Sequence, residues 1–390
     1  ELNIPDGISL SDGLTQEEAA AIALWNNAQF QADLTALGFS RADLIEASLF
    51  TNPVFSILFP VGPKPLEEKL NFPLDILWQR PRRISSAKLD AERISKNLVQ
   101  NGLGLIRDVQ VVYADNMLSQ EQTQLAEENM RLRAQMSEIA QARLRAGDIS
   151  ELEATAARVD SLIAEDSVER FAKELNVLRS RLNVLLGFGT IDQTFEMLPS
   201  PIVSSPVAPM NELLEIAFAA RPDLRAAELA IEAAGKRVGW ERSKIFNFIG
   251  IIDAKDKGEE HLTVGPGFQV EVPIFNWNSG NVARAKAMLE QSAQQYVAVR
   301  HSIILEVQEA YNRYVSACKA FELWDTDIVP SLEEAIGRAQ KAYAVGEVSY
   351  LFVLETMRQL LDARLRKAEV AAELRRTAAQ LNYSVGKNTI

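Results

Sequence analysis

The sequence repeats itself at a nearly constant interval, and this duplication limits which folds the chain can adopt. The matching segments are residues 72–74 with 272–274, 109–113 with 307–311, 146–150 with 345–349, and 182–187 with 381–386. Their intervals are 200, 198, 199 and 199 residues, from 272 − 72, 307 − 109, 345 − 146 and 381 − 182. Four matches in the same order indicate that one structural unit was duplicated.

Composition narrows the class of protein. Of the 390 residues, 47% are hydrophobic and 24% are charged, as in an ordinary folded protein. The net charge of −12 argues against nucleic-acid binding, because phosphate contacts need clustered lysine and arginine. No run of 18 or more apolar residues occurs, so we expect no transmembrane helix.

Two kinds of periodicity alternate along each half. Residues 85–145 contain no proline and are rich in helix-forming residues, which predicts one very long helix. A heptad pattern follows and predicts a returning helix that packs along its length; its apolar members are Phe171, Leu175, Leu178, Leu182 and Leu185. Gly147 and Gly346 predict the turns of two helical hairpins. Pro330 predicts a break in the second long helix alone.

Period-two segments precede both long helices. Apolar and polar residues alternate over 70–78 and 263–274, with upstream partners at 54–59 and 246–252, which predicts two strand pairs. The polar face is expected to include Asn71, Asp75, Gln269 and Glu271, while Trp78 and Trp277 end the strands. Four strands are too few to enclose an aqueous lumen, so closure requires several copies of the chain. Four prolines lie in the strand segments and cannot donate a hydrogen bond to a regular ladder; they are Pro53, Pro73, Pro266 and Pro273.

These patterns predict three regions. Residues 1–197 form the first repeat, with short helices, a strand pair at about 53–78 and a hairpin tip at 147. Residues 198–210 form a proline-rich linker. Residues 211–390 form the second repeat, with strands at about 246–274 and a tip at 346.

Several segments resemble the TolC-like outer-membrane efflux proteins, and the resemblance extends from about residue 15 to 387. The most specific is 342–355 (AYAVGEVSYLFVLE), which matches the family's tip pattern of Tyr, Gly, Ser and a Leu-rich helix start. Residues 143–150 are the first-half version. Residues 270–280 resemble the family's last strand and the start of its second long helix, and 220–224 (ARPDL) match another signature.

The resemblance implies a mainly α-helical fold with a small β part, assembled as a homotrimer. It implies a twelve-stranded transmembrane β-barrel in the bacterial outer membrane, with four strands from each chain, and an α-helical barrel that forms a periplasmic tunnel. The implied function is a passive exit duct of a tripartite efflux system. The implied partners are outer-membrane lipid, a periplasmic adaptor protein and, through that adaptor, an inner-membrane pump.

The resemblance also implies site residues at the hairpin tips. The expected adaptor-docking residues are Gly147, Asp148, Ser150, Tyr343, Gly346, Glu347 and Ser349, with Arg143 where the second half has Tyr343. Glu355 matches a position where the family often has an acid facing the closed tunnel end, whereas Phe352 departs from members with a second acid. Glu153 stands at the corresponding first-half position. We hypothesise a pore aperture of Glu153, Glu355 and Phe352 whose carboxylates favour cations. The alternative is that one or both carboxylates solvate a helix surface or pair with an arginine. The residues Asn71, Asp75, Gln269 and Glu271 are expected to face the barrel lumen.

Other functions remain open at this stage. An enzyme is not expected, because His261 and His301 lie apart and neither has a nucleophile or a metal-ligand set around it. No catalytic residue, cofactor or bound metal is expected. The alternatives are a type I secretion channel for protein cargo, a duct for siderophore-like cargo, and a coiled-coil periplasmic scaffold that forms no channel.

Overall fold

The computed structural model describes residues 4–5, 7–62, 65–189, 195–199, 207–256 and 262–387. Within them the chain is mainly helical with one small sheet. The first-half elements are α1 (Gln16–Asn26), α2 (Ala28–Ser48), β1 (Val54–Leu58), β2 (Leu66–Pro73), α3 (Ile76–Ala146) and α4 (Glu151–Leu185). The second-half elements are α5 (Met210–Ala220), α6 (Pro222–Ser243), β3 (Asn247–Asp256), β4 (Thr263–Glu271), α7 (Ser279–Glu322), a π-helical segment (Leu323–Ile328), α8 (Val329–Ala344) and α9 (Tyr350–Val385).

The order of elements confirms the duplicated fold. Each half has two short helices, a strand pair and a helical hairpin. Residues 200–206 of the predicted linker and His261 lie outside the described residues, and the repeat boundaries at 197 and 211 remain predictions.

The two long outgoing helices differ near Pro330, but the predicted break is a π-helical segment in a continuous helix, and α3 remains helical through Pro81. The first, α3, is continuous over 71 residues and begins at Ile76, earlier than the expected residue 85. The second gives way after Glu322 to the π-helical segment, and α8 then begins with Pro330 in its first turn. The helical backbone is not interrupted: the N–H of Val329 donates to the carbonyl oxygen of Trp324, and the wider π turn accommodates Pro330, which has no N–H to donate. No helix among the described residues has both the length and the apolar character needed to cross a bilayer.

The four strands form one antiparallel sheet in the order β1-β2-β3-β4. The central pair β2 and β3, one strand from each half, is aligned with Leu70 opposite Ile252. Within this chain β1 and β4 are therefore the edges. Pro73 is the last residue of β2, Pro53 and Pro273 lie just outside strands, and Pro266 lies in the edge strand β4, where a missing donor is tolerated.

The first strand pair is shorter than the sequence predicts. After Pro73 the chain turns, and the N–H groups of Leu74 and Asp75 point to the carbonyl oxygen of Phe248, at 2.8 and 3.4 Å. Helix α3 then starts at Ile76, so Asp75 is a turn residue and Trp78 is helical. Placing both in a strand was wrong, because apolar residues happened to continue at every second position into the helix.

The sheet has two chemically different faces. Residues that are opposed in register share a face. One face is largely apolar and includes Phe55, Ile57, Leu70, Phe72, Ile252, Val264, Phe268 and Val270. The other face is largely polar and carries the three strand residues expected there, which are Asn71, Gln269 and Glu271. Several side chains of the apolar face are exposed, among them Phe268 at 76%.

Contacts within the chain divide it into two compact units. One consists of residues 1–31, 101–220 and 303–390, and the other of 32–100 and 221–302. The second unit contains the sheet, and the first contains both hairpin tips. In the first unit the Tyr113 hydroxyl is buried within 2.7 and 2.6 Å of the carbonyl oxygens of Leu14 and Leu198. Burial raises the pKa of Tyr113 to about 12, with a smaller effect from Glu17, so the hydroxyl keeps its proton at neutral pH.

Gly187 closes the first returning helix and tolerates no side chain. Its φ is +77°, and a Cβ atom would overlap the backbone carbonyl of Asn26. We predict that Gly187→Ala destabilises the protein by about 2–4 kcal/mol, from left-handed strain and the overlap together. The measurement is the thermal unfolding midpoint of the detergent-solubilised protein. Gly189→Ala is the matched control, since no described atom lies within 4 Å of the position that its Cβ would occupy. Equal midpoints for the two variants would contradict the prediction.

Candidate functional site

Both hairpin tips have the same pair of backbone hydrogen bonds at the end of the outgoing helix. At the first tip the N–H of Gly147 donates to Leu144 (3.0 Å) and that of Asp148 donates to Arg143 (2.9 Å). At the second tip Gly346 donates to Tyr343 (3.0 Å) and Glu347 to Ala342 (2.9 Å). This pair of bonds is a Schellman motif, which needs a left-handed residue; Gly147 and Gly346 have φ of +80° and +81°.

The shared motif corrects one alignment made from the sequence. Counting back from each glycine, the hydrogen bonds place Tyr343 opposite Leu144, not opposite Arg143. The sequence comparison matched a large polar residue with a tyrosine and so moved the register by one. Tyr343 contacts the ring of Tyr350 at the start of the returning helix, with centroids 5.2 Å apart, and the two rings brace the second tip.

Each returning helix begins with a serine N-cap, but the residue three positions after the serine differs between the halves. Ser150 and Glu153 form a capping box: the Glu153 carboxylate accepts from the Ser150 N–H (2.8 Å) and lies 3.1 Å from its hydroxyl. These bonds, led by the one from the backbone N–H, lower the pKa of Glu153. Ser349 caps the second helix by accepting from the N–H of Phe352 (3.3 Å). Phe352 therefore occupies the position of Glu153, and its ring is 54% exposed.

Glu355 is paired within its own helix. Arg358 donates to both of its carboxylate oxygens at 3.0 Å and also reaches Asp362 at 2.7 Å. The hydrogen bonds from Arg358 lower the pKa of Glu355, and the charge of Arg133 adds to this effect. Arg133 in turn pairs with Asp160 at 3.0 Å. Glu355, Asp362 and Asp160 thus form a group of three carboxylates with the guanidinium groups of Arg358 and Arg133.

The two predicted aperture carboxylates therefore have separate partners. Glu153 is held by Ser150, and Glu355 is held by Arg358. Their role in an aperture remains a prediction. Sequence reasoning left a pairing with an arginine open but named neither Arg358 nor Asp362, although their spacing of three and seven residues from Glu355 is the helical signal for such pairs. It could not find Asp160, whose approach depends on how the helices pack.

A shallow groove of about 340 Å³ lies beside the second tip, between α8 and the start of α9. Small side chains form its floor at Ala335, Ala339 and Ala342, and Val348 and Phe352 close one end. Glu334 and Arg338 add charges at its edge. Within the described residues, no group of three or more His, Cys, Asp or Glu side chains is arranged to hold a metal ion.

Comparisons with known proteins agree with the fold and the family. Residues 213–387 match the family model described as outer membrane efflux protein. The chain is 25% identical over 384 residues to the cobalt-zinc-cadmium resistance protein CzcC of Cupriavidus metallidurans, covering 96% of this chain and 90% of CzcC. It is 27% identical over 304 residues to the cation efflux system protein CusC of Escherichia coli, covering 73% of this chain and 62% of CusC.

The fold is likewise similar to a solved structure. A crystal structure of CusC superposes with a TM-score of 0.76 at 20% identity, covering 95% of this chain and 92% of the other. The matching family is one of efflux proteins, not of enzymes. The resemblance inferred from the sequence is confirmed.

The capping box can be separated from a pore role by substitution. We predict that Ser150→Ala raises amide exchange in the first turn of α4 about fivefold, equivalent to the ~1 kcal/mol typical of a lost N-cap. Glu153→Gln should raise it less, because glutamine keeps an acceptor for the capping box but lacks the negative charge of Glu153. The measurement is hydrogen exchange by mass spectrometry, corrected for intrinsic rates.

Amide exchange in the first turn of α4 should also depend on pH. Because folding lowers the pKa of Glu153, its stabilising effect is present above the unfolded pKa and is lost as pH falls through the lower folded value. Protection of the α4 first turn should therefore decline in acid in the wild type and stay constant in Glu153→Gln. Identical pH profiles for the two proteins would contradict the capping role.

Proposed function

We propose that this TolC-like outer-membrane efflux protein forms, as a homotrimer, the exit duct of a tripartite efflux system in the bacterial outer membrane. The two-faced sheet with two edges supports this most directly. An apolar face bearing exposed Phe55 and Phe268 suits lipid, and the polar face suits an aqueous lumen. Open edges are not tolerated in lipid, and three copies of four strands close a twelve-stranded barrel.

The helical hairpins supply the periplasmic part of the proposed duct. Heptad-patterned helices pack side by side along their length, as the wall of a helical tunnel requires. Their tips are proposed to dock the periplasmic adaptor, which connects the duct to an inner-membrane pump. At the second tip, the groove floored by Ala335, Ala339 and Ala342 fits the apolar ridge of an adaptor helix.

The proposed cargo is metal cations. CzcC and CusC carry cobalt-zinc-cadmium resistance and cation efflux in their names, and the match to CzcC covers nearly all of both chains. The duct itself conducts passively, so the pump selects the cargo and supplies the energy. Protein or siderophore-like cargo and a channel-free scaffold are the competing outcomes of the tests below.

The first test is conductance in a planar lipid bilayer. We predict discrete single-channel steps from the wild type, with a cation preference that falls in Glu355→Gln. Arg358→Gln should raise that preference several-fold, because it removes the cation that neutralises Glu355. Arg366→Gln is the matched control, since Arg366 pairs with Glu369 at the same spacing on the same helix (2.6 Å). A soluble protein that never inserts would favour the scaffold.

Unchanged ion selectivity in both Glu355→Gln and Arg358→Gln would contradict the role of Glu355 without contradicting the channel. It would keep the channel and remove Glu355 from the aperture. The control variant guards against a general effect of lost arginines on the helix.

The second test is metal export in the native host. We predict that deleting the gene raises sensitivity to cobalt, zinc or cadmium salts, and that Gly346→Ala reproduces the defect by straining the docking tip. Gly346 has φ +81°, where a Cβ atom costs about 1–2 kcal/mol. Gly337→Ala in α8 is the control, because its φ is not positive and a Cβ added there would meet no described atom within 4 Å. Sensitivity to organic compounds alone would overturn the metal cargo.

A further inference from the structure

Four charged side chains form a ladder across the central strands of the sheet. Register places Glu67 opposite Lys255 and Lys69 opposite Asp253, all on the polar face. Lys255 Nζ lies 3.4 Å from a carboxylate oxygen of Glu67 and 3.4 Å from one of Asp253. Lys69 Nζ lies 3.3 Å from the second oxygen of Glu67. Each charge thus has opposite charges both along its strand and across to the next.

The ladder is balanced and partly screened from water. It contains two cations and two anions, and the four side chains are 24–38% exposed. One oxygen of Asp253 is buried and has no hydrogen-bond partner in the described part of the chain. The sequence did not reveal the ladder, because its members fall outside the strand ranges predicted from the sequence, 54–59, 70–78, 246–252 and 263–274.

The position of the ladder follows from the connections of the sheet. All four links to helices, from α2 and α6 and to α3 and α7, leave one end of the strands. The connections between paired strands start and end at Leu58 and Leu66 and at Asp256 and Thr263, which are at the other end. Glu67 and Lys255 lie within three residues of those connections. In the proposed trimer, on whose barrel this inference rests, that end is the outer mouth.

We propose that Lys69 and Lys255 act as tethered counter-ions that keep this mouth electrically neutral, so that the exit does not retain the cations it must release. Three copies place six carboxylates and six ammonium groups around the lumen. Opposite charges within 4 Å cancel at distances beyond a few ångströms, and salt screens the remainder over about 8 Å. Without the lysines, six carboxylates would face the exit, and carboxylate oxygens are ligands for divalent cations. Lys69 and Lys255 are therefore specificity-determining residues of the duct.

The test compares ion selectivity among variants that change the ladder's net charge in opposite directions. In a planar bilayer, Lys69→Gln with Lys255→Gln should shift the reversal potential toward cations several-fold in permeability ratio and introduce block by added Zn²⁺. Glu67→Gln with Asp253→Asn should shift it toward anions. The variant with all four substitutions is neutral again and should match the wild type in selectivity and in its lack of Zn²⁺ block.

A second measurement does not depend on how the double variants fold. Lys69→Cys in a Cys318→Ser background is reconstituted first and then labelled with a cationic or a neutral thiol reagent. The cationic label should restore wild-type selectivity, and the neutral label should not. Phe268→Cys, on the apolar face, is the control and should be insensitive to both.

The outcomes separate this inference from the proposed function. Channels whose selectivity and Zn²⁺ response are the same in every ladder variant would overturn the role of the lysines and leave the duct intact. A wild type that forms no channels would refute the duct and this inference together.

Discussion

The unsatisfied edges of a four-stranded sheet are the constraint on which the rest of the molecule depends. Strands β1 and β4 each have one neighbour within the chain, and the apolar face beside them exposes side chains such as Phe268. A single chain in water would leave both features unsatisfied, because edge strands have unpaired backbone hydrogen-bonding groups and an exposed apolar face favours association. The proposed trimer pairs the edges, and outer-membrane lipid covers the apolar face. The central strands β2 and β3 come from different halves, so the duplication itself builds the sheet that then requires further copies.

Features carried by local periodicity were predictable from the sequence. The helix over 85–145, the turns at Gly147 and Gly346 and the two strand pairs are all present, because each depends on residues close together in the chain. The ends of elements were less predictable. Asp75 and Trp78 continued the strand pattern, yet hydrogen bonds to the carbonyl of Phe248, more than 170 residues away, end the strand and start the helix. A sequence pattern contains no information about such a distant acceptor.

Charge was the part of the candidate site that sequence reasoning described least completely. A carboxylate considered alone suggests a ring of negative charge, whereas the structure shows Glu153 used for capping and Glu355 neutralised by Arg358. The same holds in the sheet, where Glu67 and Asp253 are matched by lysines on neighbouring positions. The chain carries a net charge of −12, but these sites pair their acids locally. Residue type determines which charges are present, and packing determines how far neighbouring opposite charges neutralise them.

The π-helical segment explains an irregularity in the duplication. The interval between matching residues is 198 before this segment, at Tyr113 and Tyr311, and 199 after it, at Gly147 and Gly346. The second half thus has one residue more than the first between these points, where six residues are wound as a π-helix. Inserted into an α-helix, one residue would rotate everything beyond it by about 100°. The wider π turn takes up that residue, so the helix beyond it keeps the phase that the uninterrupted α3 has in the first half.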